Sequence, residues 1–319
     1  MRTEQHYCPD SPQGLRMRMV AGLVVILGSL GLISACDGSS GADGGTGSLV
    51  VAMTDAPVHS AAEVWVAFSG VTVKPESGPP IDFDFSEPRS MDLLTLTNGE
   101  TEVLLDAEGL PVGRYEWLSL HVNAEFDGVM DSYVLTDTGD EIELRVPSGA
   151  QSGLRLVSGF TITTNQTTSL VIDWDLRQAL VNPVGQPGWF LRPALRISDM
   201  ARYGTISGIV DEGLLLDESC SNDLGRDLGN AVYLYEGHGV TPSDITGGDS
   251  DPIVTGNVSL NVDEDRYEYR LHFVSPGDYT IALTCQALDD DPEVDDGLDF
   301  VAPTDVTVID GEVHTVNFD

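Results

Sequence analysis

The chain has 319 residues and a formal charge of −37, from 52 acidic side chains against 15 basic ones. That balance excludes nucleic acid as a partner, because such binding neutralises phosphates with Lys and Arg, and most of the acidity reads as a solvated surface. Apolar residues at 41%, with 34 glycines and 17 prolines, suit short strands between many turns better than long helices or disorder, and the length suits two domains.

Residues 1–35 read as an address segment. Arg16 and Arg18 precede an apolar run from Met19 to Ile33, too short and Gly-rich for a membrane span and of the right size for a signal-peptide core. Translation is expected to begin at Met17 or Met19, leaving Cys8 outside the product. The run closes on Ile33-Ser34-Ala35-Cys36, which resembles the lipobox of bacterial lipoproteins. The resemblance implies diacylglycerol on the Cys36 thiol, a mature chain starting at that residue, and a cell-envelope protein facing the periplasm or exterior. Asp37 resembles the inner-membrane retention signal of enteric bacteria; which membrane holds the lipid stays open. Residues 36–48 are Gly- and Ser-rich, with nothing to bury, and read as a flexible tether.

A first β-domain is expected over residues 49–199. Alternating apolar residues mark strands at Leu49–Thr54, Glu63–Phe68 and Val71–Lys74, and further ones at Arg114–Val122, Ser132–Leu135, Glu141–Val146, Leu154–Ile162 and Thr168–Trp174. Leu93–Leu96 and Thr101–Leu105 flank Asn98-Gly99, a two-residue hairpin signal because both turn positions need positive φ. Thr54-Asp55-Ala56-Pro57, Leu110-Pro111-Val112-Gly113-Arg114-Tyr115, Val146-Pro147-Ser148-Gly149 and Asp173-Trp174-Asp175-Leu176, in that order, resemble the domain-of-unknown-function family 4382. That resemblance implies a lipoprotein-borne β-sandwich with no catalytic residues to carry over. Asp173 and Asp175 share a strand face, and with Asp55 they could ligate calcium, which takes several hard oxygens. The alternative has Asp55 capping a turn before Pro57 and the other two at a solvated strand end.

The second domain is expected over residues 202–319, with strands at Tyr203–Val210, Asn230–Tyr235, Tyr267–Phe273, Pro276–Leu283, Val306–Ile309 and Val313–Phe318. The Gly-x-Ile-x-Gly opening, the Asn230-Ala231 strand and the Pro276-Gly277 turn before Tyr279 resemble the transthyretin-like module called carboxypeptidase regulatory-like. The expected fold class is therefore all-β: two antiparallel Ig-like or prealbumin-like sandwiches after a lipoprotein signal peptide and tether. With Cys36 lipidated and Cys8 removed, Cys220 and Cys285 remain, an even pair expected to form a disulfide in an oxidising compartment. The bridge would draw the acidic loop holding Asp217, Asp223 and Asp227 towards the one holding Asp289, Asp291 and Asp295, and calcium could screen them.

Catalytic motifs for nucleophile elbows, metalloproteases, phosphate loops and dinucleotides are missing, and His59, His121, His238, His272 and His314 are scattered. The chain therefore reads as no enzyme. The competing classes are a binding or adhesion module, a passive structural lipoprotein, and a carbohydrate-binding or hydrolytic accessory protein. Partners would be the membrane, through the lipid, and a glycan or envelope protein. Two of Trp65, Trp117, Trp174 and Trp189 on one solvent face would favour a glycan, although the alternation assigns Trp65 and Trp174 to the core.

Overall fold

The computed structural model describes residues 45–56, 61–147, 153–183 and 185–319. The address segment, Cys36, most of the tether, Pro57, His59 and Ser148-Gly149 lie outside the described residues. The described residues fall in one compact unit.

Twenty strands run through the described residues, with helical turns between some of them. The first thirteen are β1 (Thr46–Ala56), β2 (Glu63–Pro75), β3 (Ile81–Asp92), β4 (Glu102–Pro111), β5 (Gly113–Asn123), β6 (Tyr133–Leu135), β7 (Glu141–Arg145), β8 (Leu154–Leu156), β9 (Phe160–Ile162), β10 (Thr167–Asp175), β11 (Leu180–Val181), β12 (Trp189–Leu191) and β13 (Leu195–Asp199). A single helical turn, α1 (Leu176–Ala179), separates β10 from β11. The remainder are β14 (Gly204–Val210), β15 (Ala231–Glu236), β16 (Val254–Asn261), β17 (Arg266–Val274), β18 (Gly277–Thr284), β19 (Val301–Val308) and β20 (Val313–Thr315).

The chain is all-β. In its first part a four-stranded sheet, β13-β10-β1-β4, faces a nine-stranded one, β11-β12-β7-β6-β2-β5-β8, with β3 added on β2 and β9 on β5. One apolar core fills the space between them, taking Leu49, Val51 and Met53 from β1, Val64 and Val66 from β2, and Trp174 from β10. In the second part β16 belongs to both layers of a sandwich. Its first four residues pair with β15 and its last four with β17, the corner device by which one strand switches sheets. Ile206, Leu234, Leu271, Ile281 and Phe318 fill that sandwich. A smaller cluster of Ala231, Tyr233, Tyr235 and Ile245 lies on the other face of β15.

Each part has a tyrosine that ties a turn to the sheet. The Tyr115 hydroxyl donates to the Pro111 carbonyl at 2.9 Å and the Tyr279 hydroxyl to the Ser275 carbonyl at 2.8 Å, each four residues upstream, as in the tyrosine corner of Ig-like sandwiches. Both rings are buried against their sheets.

Several expected elements differ. Leu93–Thr95 is a 3-10 turn, because the Asp92 carboxylate accepts from the Leu94 amide and caps it. Asn98-Gly99 is a turn with φ of 58° and 86°, but the strand after it, β4, pairs with β1 and not with Leu93–Leu96. The two strands expected at Glu63–Phe68 and Val71–Lys74 are one, β2, with a register shift between Phe68 and Gly70. The sheets are also mixed where antiparallel pairing was expected: β1 with β10, β7 with β12 and β14 with β20 run parallel. Parallel neighbours need long crossovers, and the excursion through the nine-stranded sheet between β1 and β10 supplies one.

Candidate functional site

The Asp173-Trp174-Asp175-Leu176 motif ends β10 and opens α1. Parallel pairing sets Thr54 beside Asp173 and Asp55 beside Trp174, so the three aspartates expected to share a cation lie on neighbouring strands, although among the described residues they form no group able to hold a metal. They are not at a solvated strand end: Asp55, Asp173 and Asp175 are 7%, 7% and 5% exposed. Trp174 between them is fully enclosed, its indole N–H donating to the Arg192 carbonyl at 2.9 Å.

A buried carboxylate needs donors, and each of these finds them in a different direction. Asp175 caps α1 through the amides of Arg177 and Gln178. It also accepts from the Thr255 amide at 3.1 Å, from the Thr255 hydroxyl, and from the Gln178 side chain at 3.0 Å. Asp173 meets Arg196 at 2.6 Å, and Arg196 donates to the Phe273 carbonyl at 2.7 Å. Asp55 accepts from the Leu176 amide at 3.3 Å. Arg177, also buried, donates to the Ala287 carbonyl at 3.1 Å and to Asn257 Oδ1 at 2.6 Å. Thr255, Asn257, Phe273 and Ala287 all belong to the second sandwich, so the motif is the seam between the two. Burial raises the pKa of Asp175, Asp173 raises it further, and Arg177 with the Gln178 and Thr255 hydrogen bonds opposes the rise.

Cys220 and Cys285 are joined by a disulfide with Cα atoms 5.0 Å apart. Of the loop carboxylates considered for calcium, Asp217 accepts from Ser219, which lowers its pKa. Asp227 accepts from the Leu260 amide at 3.2 Å, and Asp291 from the Glu293 amide at 3.0 Å. Among the described residues, none of Asp217, Asp223, Asp227, Asp289, Asp291 and Asp295 joins a group able to hold a metal. The group that converges is Asp244, Asp290 and Asp296, with one oxygen of each within 4.8 Å of the others. Asp244, 4% exposed, accepts from the Asp296 and Gly297 amides. Asp290 accepts from the Ile245 amide at 3.2 Å and in a short hydrogen bond from the Tyr233 hydroxyl. Burial pushes its carboxyl up to about 6, Asp244 adding to the rise while Tyr233, Arg177 and the Ile245 amide oppose it. Three hard oxygens are half the usual minimum for calcium. Asp244 carries no sequence signal that ties it to Asp290, 46 residues further on; an Asp-rich run before Gly297 was the one visible hint.

The tryptophans form no paired platform. Trp65 is half-buried against Tyr133 with centroids 6.3 Å apart, so its expected place in the core is only partly met. Trp117 lies under Arg155 and opposite Lys74 on β2, roughly 30 Å along that strand from Trp65 at ~3.3 Å per residue. The His121 ring bonds Thr72 at 2.7 Å and that of His314 accepts from the Ile309 amide at 2.8 Å. Among the described residues no helix is long and apolar enough to cross a membrane.

Residues 46–193 match the family model described as Domain of unknown function (DUF4382). None of the curated proteins matches the chain. Among solved structures the chain is similar to a leucine-rich repeat protein from Bacteroides thetaiotaomicron, at 11% identity and a TM-score of 0.21 over 85% of this chain and 26% of that one. It is similar to the major pilin subunit of Bacillus cereus, at 10% identity and 0.20 over 86% and 99%. A fimbrial protein from Bacteroides ovatus matches at 11% identity and 0.18 over 86% and 49%. The chain thus spans about a quarter of the first of these and half of the third. Likenesses this faint leave function to the chain's own chemistry.

Proposed function

We propose that the chain is a non-catalytic envelope module, tethered to a membrane by lipid on Cys36, that presents two β-domains, residues 49–199 and 202–319, as one body for binding. The observation that carries this reading is the Cys220–Cys285 disulfide, a bond that persists in oxidising compartments outside the cytosol. The lipobox at Ile33–Cys36 supports the same address, and β1 starts at Thr46, ten residues beyond the cysteine.

A binding role is supported over catalysis by where the buried ionisable groups spend their hydrogen bonds. Asp173, Asp175, Arg177 and Arg196 all hold the seam, and His121 and His314 hold strands or turns. We further assign residues 202–319 to the carboxypeptidase regulatory-like class, on the order of their strands and the Tyr279 corner. Peptide mass spectrometry of the membrane fraction tests the anchor. A diacylglyceryl peptide beginning at Cys36, lost together with membrane retention in Cys36→Ser, is expected; an unmodified mature N-terminus elsewhere would reject the proposal.

A further inference from the structure

The outer face of the second sandwich holds a polar trough of about 670 Å³ across β16, β17, β14 and β20. Thr315, Ser207 and Arg270 stand in one row there, paired across three adjacent strands. Gly208 also lines the trough, and the neighbouring strand packs so closely there that a Cβ would lie 1.7 Å from the Val316 carbonyl oxygen. Asn257 closes one side, and the first sandwich contributes Asn98. Gly99 presses that turn on the second sandwich so closely that a Cβ would come within 2.8 Å of the His272 ring. The seam anchored by Asp175 and Arg177 therefore also completes the trough.

Its charge is anomalous for this molecule. In a chain of net charge −37, the Arg270 side chain is exposed and makes no hydrogen bond or ion pair among the described residues. Neighbouring Arg266, by contrast, is engaged by Glu264 at 2.6 Å and Glu268 at 3.3 Å. Beside Arg270, His272 has a buried Nε2 without a partner. A guanidinium fork matches a carboxylate bidentately; the Ser207 and Thr315 hydroxyls can both donate and accept, as ring hydroxyls require, and Asn257, whose Oδ1 takes Arg177, keeps its amide N–H groups to donate.

We propose that this trough binds a carboxylated saccharide, with Arg270 holding the carboxylate and Ser207, Asn257 and Thr315 the ring hydroxyls. The proposal deepens the reading of the chain as a binding module by giving that module a site and a ligand class. The row from Thr315 to Arg270 spans about 10 Å at strand spacing, room for two sugar rings. A cavity of this volume lies within the usual range for small-ligand sites.

The test is calorimetric titration of the full chain, in chelator, with trimers of galacturonate, guluronate and mannuronate and with the methyl ester of each. At least one trimer is expected to bind with a Kd below about 1 mM. Its ester and the Arg270→Gln chain should each bind at least about tenfold more weakly, the effect of losing a charged hydrogen-bonding partner. Arg202→Gln, an exposed arginine outside the trough, should bind as the parent does. No binding by any trimer, equal binding of the ester, or unchanged affinity in Arg270→Gln would each overturn the proposal. A peptide rich in glutamate competing better than every trimer would overturn it in favour of a protein ligand. None of these failures touches the anchor, which is read from the mass of the Cys36 peptide.

Discussion

Asp55, Asp173 and Asp175 at the seam, and Asp244, Asp290 and Asp296 in the loops of the second sandwich, are two gatherings of the same side chain with opposite surroundings. At the seam each carboxylate meets donors it can use, with Arg196 and Arg177 beside them. In the loops the carboxylates face one another, relieved by backbone amides, Tyr233 and the same Arg177. A buried charge with partners is costly to break but fixes geometry, whereas like charges brought together shift their own titration. The seam trio is accordingly a structural lock, and the loop trio is where the chain's acidity remains uncompensated.

The largest effect should come from breaking the lock. Asp175→Ala removes the cap of α1, the acceptor for Thr255 and Gln178, and one of the carboxylates that act on Arg177. A loss of about 5 kcal/mol is expected in denaturant unfolding, combining a weakened buried charge pair, buried donors left without their acceptor, and a lost cap. A loss below about 1 kcal/mol would mean the seam is solvated in solution.

Removing the bridge acts on the other side of the comparison. The double substitution Cys220→Ser with Cys285→Ser should lower stability by about 4 kcal/mol, the chain-entropy value for a loop of this length. It should also let the Asp290 carboxyl fall towards its ordinary value as the loops part. Carboxyl-carbon NMR titration of Asp290 in both chains reads that change. An Asp290 midpoint identical in the two would show that the bridge plays no part in crowding the trio.

A smaller change titrates the trio itself. The folded value of Asp290, about 6, lies above its ordinary 3.8, so folding favours the protonated form. Its stabilising contribution is complete below about pH 4 and is lost as pH rises through the folded value. Asp290→Asn keeps the neutral form and should be more stable than the parent at about pH 7.5, by at most ~3 kcal/mol, and equal to it at about pH 4. A variant less stable than the parent at the higher pH would show that the carboxylate is needed there, as a bound cation would require.

How much of this was legible follows from the range over which each feature is decided. A strand with one buried face, such as β17, announces itself by alternation within a few residues. The bridge followed from counting cysteines. Strand β3 alternates Ile81, Phe83 and Phe85 with exposed acids and was readable in principle. Leu93–Leu96 misled because one capping aspartate outweighs the β-propensity of the residues after it. Parallel pairing of β1 with β10 was invisible, since it is settled between segments more than a hundred residues apart. The aspartates at 55, 173 and 175 stand out in the sequence, yet the hydrogen bonds they make depend on Thr255 and Arg196, which no local pattern connects to them. Asp244 and the trough around Arg270 lay beyond reach for the same reason: each is assembled from loops or strands whose neighbours only the fold supplies.

The claim that the seam makes one body of two sandwiches is tested most directly by scanning calorimetry of the unmodified chain. A single transition is expected, with van't Hoff and calorimetric enthalpies equal, and Asp175→Ala should divide it into two. Two resolved transitions in the unmodified chain would contradict the account, because the sandwiches would then be melting independently across a seam that does not hold them.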